Sequence, residues 1–337
     1  MKRIAFTFVV VAGLASTSVF AADMAIKAPP APPPPPSPWD IAITGGFMND
    51  YIFRGITQSA HQASTQFGLE PRYTFNPMWQ AYVGISGESI DFPNRGAAEI
   101  DFYGGIRPTF GKLALDAGAW YYYYPGGQCF GPAAGVGSCP ALGGTGATAL
   151  ALPNGNVVKQ DVSFLEFYGK ATYTVNDNFN FGGQIWGAPV LGSGMAGVLN
   201  SGASGIYYAG NVTLTAPSTW LPNSIGAYVS ADVGWWQLGT SDAFYAAPPA
   251  FPAGVPYTSY LNWDAGVGFT WKVFTLDLRY YDTNLTKAQC NVFTSDQTAS
   301  FGAGNVTAQN PGGLGSNWCG ATFVAKLSIA TALSAFK

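Results

Sequence analysis

Residues 261–271 read LNWDAGVGFTW. Every second residue, Leu261, Trp263, Ala265, Val267, Phe269 and Trp271, is uncharged and mostly large and apolar, while Asp264 sits on the other parity with Asn262, two glycines and Thr270. Successive side chains of a β-strand point to opposite faces, so a period of two describes a strand with one greasy face and one face that tolerates charge. The pattern recurs outward from this stretch. Thr65, Phe67, Leu69, Tyr73 and Phe75 form one uncharged row, and Trp79, Ala81, Val83 and Ile85 form another. The opposite parity collects Asp40, Asp50, Arg54, Glu70, Arg72, Glu88, Glu99, Asp101, Arg107, Asp116, Glu166, Lys170, Asp232, Asp264, Asp277, Arg279 and Lys326.

Twelve such segments are expected, at 39–53, 64–75, 78–90, 97–107, 112–124, 162–175, 179–187, 205–215, 224–237, 259–271, 274–281 and 321–333. Short and long connections alternate between them, as in an up-and-down barrel trimmed at one end and elaborated at the other. A soluble barrel or sandwich would put the greasy parity inside. Three observations favour greasy-out. Charged residues make up only 10 % of the chain against 15 % aromatic, where ordinary soluble domains run near a quarter charged. Aromatics bracket the connections, Phe75 and Trp79, Tyr173 and Phe179, Trp271 and Phe274 at the short ones, and the 121–124 tyrosines and Trp235-Trp236 at the long ones, as in interfacial girdles. An exported chain without an apolar span crosses a membrane by closing a barrel, because closure pairs every backbone group. The expected fold is therefore all-β, a transmembrane antiparallel up-and-down β-barrel of about twelve strands over residues 39–337.

Export is read from the start of the chain. Lys2 and Arg3, an apolar run from Ile4 to Ala15 and small residues up to Ala22 form a signal peptide over 1–22. Residues 23–38 follow as a proline-rich periplasmic spacer, APPAPPPPPSP at its core, a composition that favours extended polyproline II. The expected location is the outer membrane of a Gram-negative-type cell. Four cysteines in an exported chain suggest disulfides; Cys129 with Cys139 and Cys290 with Cys319 are preferred, because each pair lies in one loop-like region.

Residues 50–59, DYIFRGITQS, resemble the segment near the mature N-terminus of the TorF porin family. Glu99 to Gly105 (EIDFYGG), Tyr121 to Pro125 (YYYYP) and Glu166 to Gly169 (EFYG) are similar to later segments of that family. The resemblance is concentrated in residues 45–175 and implies an outer-membrane barrel of porin type.

Function follows as a set of expectations. Within the barrel, Asp50 and Arg54 share the inner face some 13 Å apart, by strand geometry, while Tyr51 and Phe53 face outward at girdle height. Arg54 contributes to the field at the pore mouth or fastens the first loop. The inner parity above holds more acids than bases, 11 against 6. A charged, low-dielectric lumen favours counter-ions, so a porin-like channel for ions or small hydrophilic solutes with mild cation preference is expected. The alternative is a non-conducting barrel whose loops bind a partner or stabilise the envelope. The Gly-rich 125–161 connection is a candidate constriction or an exposed surface. His61, the single histidine, reads as an exposed loop residue without nucleophile elbow or metal spacing. The chain is expected to be no enzyme, to carry no cofactor or metal, and to meet membrane lipid rather than nucleic acid, its net charge being −3. Nothing in the residues selects an oligomeric state.

Overall fold

The computed structural model describes residues 37–131, 139, 152, 154–192, 195–222, 224–246, 248–302, 310 and 312–336. The expected signal peptide, nearly all of the 23–38 spacer and much of the 125–161 connection lie outside the described residues. Twelve antiparallel strands close into a barrel. In chain order these are β1 (Trp39–Met48), β4 (Ser64–Asn76), β5 (Trp79–Glu88), β6 (Glu99–Phe110), β7 (Leu113–Tyr123), β8 (Phe164–Asn176), β9 (Phe179–Ala188), β10 (Gly205–Thr215), β11 (Gly226–Leu238), β12 (Tyr260–Trp271), β13 (Phe274–Thr283) and β16 (Thr322–Ala332). A two-residue pair, β2 (Ile52–Phe53) and β3 (Ile56–Thr57), lies between β1 and β4. The connection after β13 carries α1 (Lys287–Thr294) and the small pair β14 (Ser300–Phe301) and β15 (Leu314–Gly315). Thr286 and Gln289 cap α1 reciprocally, a two-way bond that satisfies the orphan amides at its start.

Each strand pairs with its chain neighbours, and β1 closes on β16, Ala42 facing Ala332 and Met48 facing Lys326. No backbone edge is left for lipid to desolvate. The two parities separate as the alternation requires. Phe67, Val83, Phe167, Val233 and Phe323 stand more than half exposed, whereas Glu88, Glu99, Asp101 and Glu166 are buried. Exposed apolar side chains on every wall of a closed, charge-filled barrel make it a membrane-spanning barrel of the outer-membrane kind. Aromatic pairs ring its short-turn end: Trp39 with Tyr73, Trp79 with Phe110, Tyr173 with Phe181, and Trp271 with Phe274.

The first strand departs from its expected span. It stops at Met48 rather than Phe53. Asn49 ends it by bonding the last strand sideways, donating to the Phe323 carbonyl at 3.1 Å and accepting from the Ala325 amide at 2.7 Å. Asp50 then turns inward, fully buried, and accepts from the Thr57 and Ser59 hydroxyls at 2.5 and 3.1 Å. Asp50 and Arg54 therefore lie on a segment inside the mouth and not on the wall. Tyr51 and Phe53, expected to face outward, are turned into the same interior: the Tyr51 hydroxyl donates to Glu99 at 2.6 Å and Phe53 packs edge-on against Tyr122 and Trp236.

Val233 lies near the middle of β11 with its side chain 51 % exposed. Val233→Arg should destabilise the barrel in liposomes by about 2–4 kcal/mol, the cost of a cation at the bilayer midplane. Denaturant unfolding of the variant beside Val233→Leu measures this, and an unchanged midpoint would contradict the assignment of faces.

Candidate functional site

The mouth at the long-loop end is stopped by the β2–β3 hairpin. Its turn residues, Arg54 and Gly55, both have positive φ, 49° and 78°, the signature of the two-residue turn that matches strand twist and favours glycine at its second position. Gly55 has a second reason to be glycine: a Cβ there would lie 2.3 Å from the Thr283 methyl. The turn thus inserts against the wall with no room for a side chain.

Arg54 reaches across the lumen. Its two terminal nitrogens donate to the two oxygens of Glu166 on β8 at 2.9 and 2.7 Å. The guanidinium carbon lies 4.3 Å from the ring centres of Tyr207 and Trp236 and 4.6 Å from that of Phe53. Tyr122 donates to Glu166, and Tyr260 donates to the Arg54 carbonyl at 3.0 Å. Both charges are almost completely buried, 6 % and 0 % exposed. A bidentate, aromatic-walled guanidinium–carboxylate pair is strong and geometrically specific. Removing one member of a buried pair strands the other, at about 3–5 kcal/mol.

Below the hairpin, a hollow of about 1190 Å³ including its opening runs into the barrel; Phe53, Arg54 and Gly55 roof it, and Gln66, Lys170, Gln184, Asp232 and Asp264 are among its walls. The inner charges fall into groups. Arg107 binds Glu70 with two nitrogens at 2.6 and 3.0 Å and Asp116 with a third at 3.1 Å, and Arg72 meets Glu70 at 2.6 Å. Arg279 meets Asp264 at 2.5 Å, Asp277 at 3.0 Å and Asp232 at 3.7 Å. Lys170 faces Asp116 in register and lies over the Tyr168 and Trp186 rings at 4.7 and 4.6 Å. Lys326 donates to Gln66 at 2.5 Å. Glu88, Glu99 and Asp101 form a third acidic group, with ligand oxygens within 4.8 Å of one another. Tyr82 and Tyr168 share a hydrogen bond through their hydroxyls, and Tyr82 also donates to Asp116 at 2.5 Å. Expectation missed these tyrosines, although both occupy the charged parity, Tyr168 between Glu166 and Lys170.

Above the hairpin the long connections pack into an apolar cap that includes Phe130, Val158, Phe164, Tyr257, Phe293 and Trp318. It holds a second hollow of about 750 Å³ including its opening, lined on the hairpin side by Phe53 and Ile56. The hairpin is tied to this cap. The Thr57 amide donates to the Trp318 carbonyl at 2.9 Å, and Ile56 pairs with Cys319. Cys319 is disulfide-bonded to Cys290 of α1, and Cys129 to Cys139, the pairing preferred from the sequence.

His61 is more than a surface loop residue. One ring nitrogen lies 2.6 Å from Asp50, the other 2.8 Å from the Asn317 carbonyl. Both partners are acceptors, so the doubly protonated imidazolium fits best. The hydrogen bond to Asp50 raises the His61 pKa above its ordinary 6.5; partial burial opposes the rise, and the Asn317 carbonyl adds to it.

Residues 33–184 match the profile of a family described as bacterial proteins of unknown function, Gcw_chp. No curated protein matches the chain in sequence. Among solved structures, it is similar to a FadL homologue of Pseudomonas aeruginosa (11 % identity, 87 % of this chain, 89 % of that one, TM-score 0.39). It is also similar to LpxR from Salmonella typhimurium (9 %, 86 % and 99 %, TM-score 0.40). A third is OmpT of Vibrio cholerae (11 %, 87 % and 96 %, TM-score 0.33). The expectation that the chain is no enzyme is corrected here. An acid–base pair is held at Asp50 and His61, 2.6 Å apart, and that exclusion is withdrawn.

A raised histidine pKa stabilises the fold below the unfolded value and loses that contribution as pH rises through the folded one. Protection of the 49–63 segment from protease should thus be greatest below about pH 6.5 and fall above the elevated His61 pKa. The single histidine can be followed by NMR titration. His61→Ala should flatten the dependence, and a wild-type pKa at or below 6.5 would contradict it.

Proposed function

We propose that the protein is a gated outer-membrane channel of porin type for ions or small hydrophilic solutes, exported by residues 1–22 and joined to its barrel through the 23–38 spacer. The observation that carries this reading is the placement of the β2–β3 hairpin. A polar, charge-lined hollow lies on one side of it and an apolar pocket on the other. A twelve-stranded barrel lies between eight strands, whose interior side chains fill, and sixteen, which leave an aqueous channel. Here the wall leaves a hollow and one two-residue turn stops it. The resemblance of residues 50–59 to the TorF porin family supports the same reading, since the gate is built from those residues. In this reading the inward charges Asp50, Arg54, Glu70, Arg72, Glu88, Glu99, Asp101, Arg107, Asp116, Glu166, Lys170, Asp264, Asp277, Arg279 and Lys326 set the field along the path. The Arg279 group keeps three acids to one base, and among the described residues the Glu88 group has no base in direct ion-pair contact, which favours cations.

The apolar pocket above the hairpin favours a second reading, a non-conducting barrel whose cap binds a partner. Planar-bilayer recordings separate the two. Wild-type protein should conduct in small or infrequent steps with cation-selective reversal potentials. Arg54→Ala and Glu166→Gln, which break the ion pair holding the turn, should raise the open fraction or step size severalfold. Silence from all three correctly folded proteins would favour the second reading.

A further inference from the structure

Among the described residues, each of the inner acidic groups but one is in direct contact with a base. Glu70 and Asp116 share Arg107, and Asp232, Asp264 and Asp277 share Arg279. Glu88 and Glu99 face each other directly across β5 and β6, and Asp101 is one inward step further along β6. Like charges directly opposite on a sheet are destabilising. Yet no lysine, arginine or histidine among the described residues makes an ion pair with any of the three. Their direct hydrogen-bond donors are neutral, and Lys326 stands behind one of them, donating to the Gln66 oxygen while the Gln66 amide donates to Glu88. Tyr51 and Tyr124 donate to Glu99 at 2.6 and 2.8 Å, Ser86 to Asp101 at 3.0 Å, and Gln66 to Glu88 at 3.1 Å. The three residues are only 2–4 % exposed. One oxygen of Glu88, inaccessible to water, has no hydrogen-bond partner, and the second oxygen of Asp101 has only the Trp120 indole N–H beside it. A buried carboxylate oxygen without a donor is costly, and more so beside two others.

We propose that Glu88, Glu99 and Asp101 bind a divalent cation, with Ca²⁺ the best match. The buried Glu88 oxygen without a donor and three carboxyls with no base in direct contact point the same way, to a positive charge supplied from solution. Carboxylate oxygens within 4.8 Å of one another can all reach one cation with oxygen distances of about 2.3–2.6 Å, and a flexible all-oxygen set is the kind calcium accepts. Magnesium, at about 2.0–2.1 Å and reluctant to shed water, suits the group less well. The Glu99 oxygens retain lone pairs beyond the tyrosine bonds. Glu88 and Asp101 also line the lumen hollow, which gives an ion its route. The bound ion would bridge β5 to β6 and, through the Tyr51 hydroxyl, brace the segment that leads into the hairpin. Binding at this group is independent of whether the lumen conducts.

Terbium replaces calcium at oxygen sites, and Tyr51 and Tyr124, both bonded to Glu99, are placed to sensitise its emission. Refolded full-length protein in detergent should show tyrosine-excited terbium luminescence that Ca²⁺ displaces and Mg²⁺ displaces at least tenfold less well. Glu88→Gln/Asp101→Asn should weaken terbium binding at least tenfold. Ca²⁺ should raise the melting temperature of the wild type and leave that of the variant unmoved. Glu88→Lys, which places a base inside the group, should melt at the same temperature with calcium or chelator, and it serves as a second folded control. Terbium emission equal in wild type and double variant, or a wild-type melting temperature indifferent to calcium and chelator, would overturn the proposal.

Discussion

Lipid offers no hydrogen bonds, and that constraint shapes the molecule. Twelve strands must pair all their backbone groups among themselves, which they do by closing β1 on β16. Closure assigns every side chain to one of two environments. The greasy parity meets acyl chains, and the other parity meets whatever fills the centre. A strand slipped by one residue would exchange the two sets, so the alternation itself fixes the register around the ring. Asp40 against Arg72, Asp116 against Lys170 and Asp277 against Lys326 are neighbours in that register.

Inside, the charges stabilise one another to different degrees. Two groups gather around an arginine whose planar fork can serve several carboxylates at once, and one group has none. The outer end is governed by Arg54 and Glu166. The pair is buried among aromatics, so its two members hold the hairpin in place together. The cap above adds a covalent brace, because Cys319 both pairs with Ile56 and is bonded to Cys290. Ion pair, turn geometry and disulfide therefore converge on the few residues between Tyr51 and Thr57.

Much of this is legible in the sequence because period-two alternation is local. Leu261 to Trp271 displays it without reference to any other part of the chain, and eleven further segments repeat it to within a few residues at their ends. Parity puts Glu70, Arg107, Glu166 and Arg279 on one face, and the low charge content, the aromatic girdles and the export signal make that face the inward one. What parity cannot carry is where alternation stops. Asp50 to Arg54 continues the pattern past Met48, yet Asn49 bonds sideways to β16 and Asp50 finds the Thr57 and Ser59 hydroxyls. Those side-chain contacts outcompete further strand pairing. Arg54 was recognisable as special, but its partner lies 112 residues away on β8, and nothing local announces so distant a contact. The second acceptor of His61, the Asn317 carbonyl, lies on the last long connection, 256 residues away. The tyrosines that span the lumen were visible by parity and passed over because an aromatic ring suits either face.

The account stands on which parity meets lipid. Nitroxide labels placed singly at Phe67 and Leu327, both more than half exposed on the wall, should be relaxed by oxygen dissolved in the bilayer and spared by a charged aqueous nickel chelate. Labels at Gln66 and Ser328, one residue away on the opposite parity, should show the lower oxygen-to-nickel ratio. The reverse ratio at both pairs of sites would turn the barrel inside out and contradict the whole arrangement.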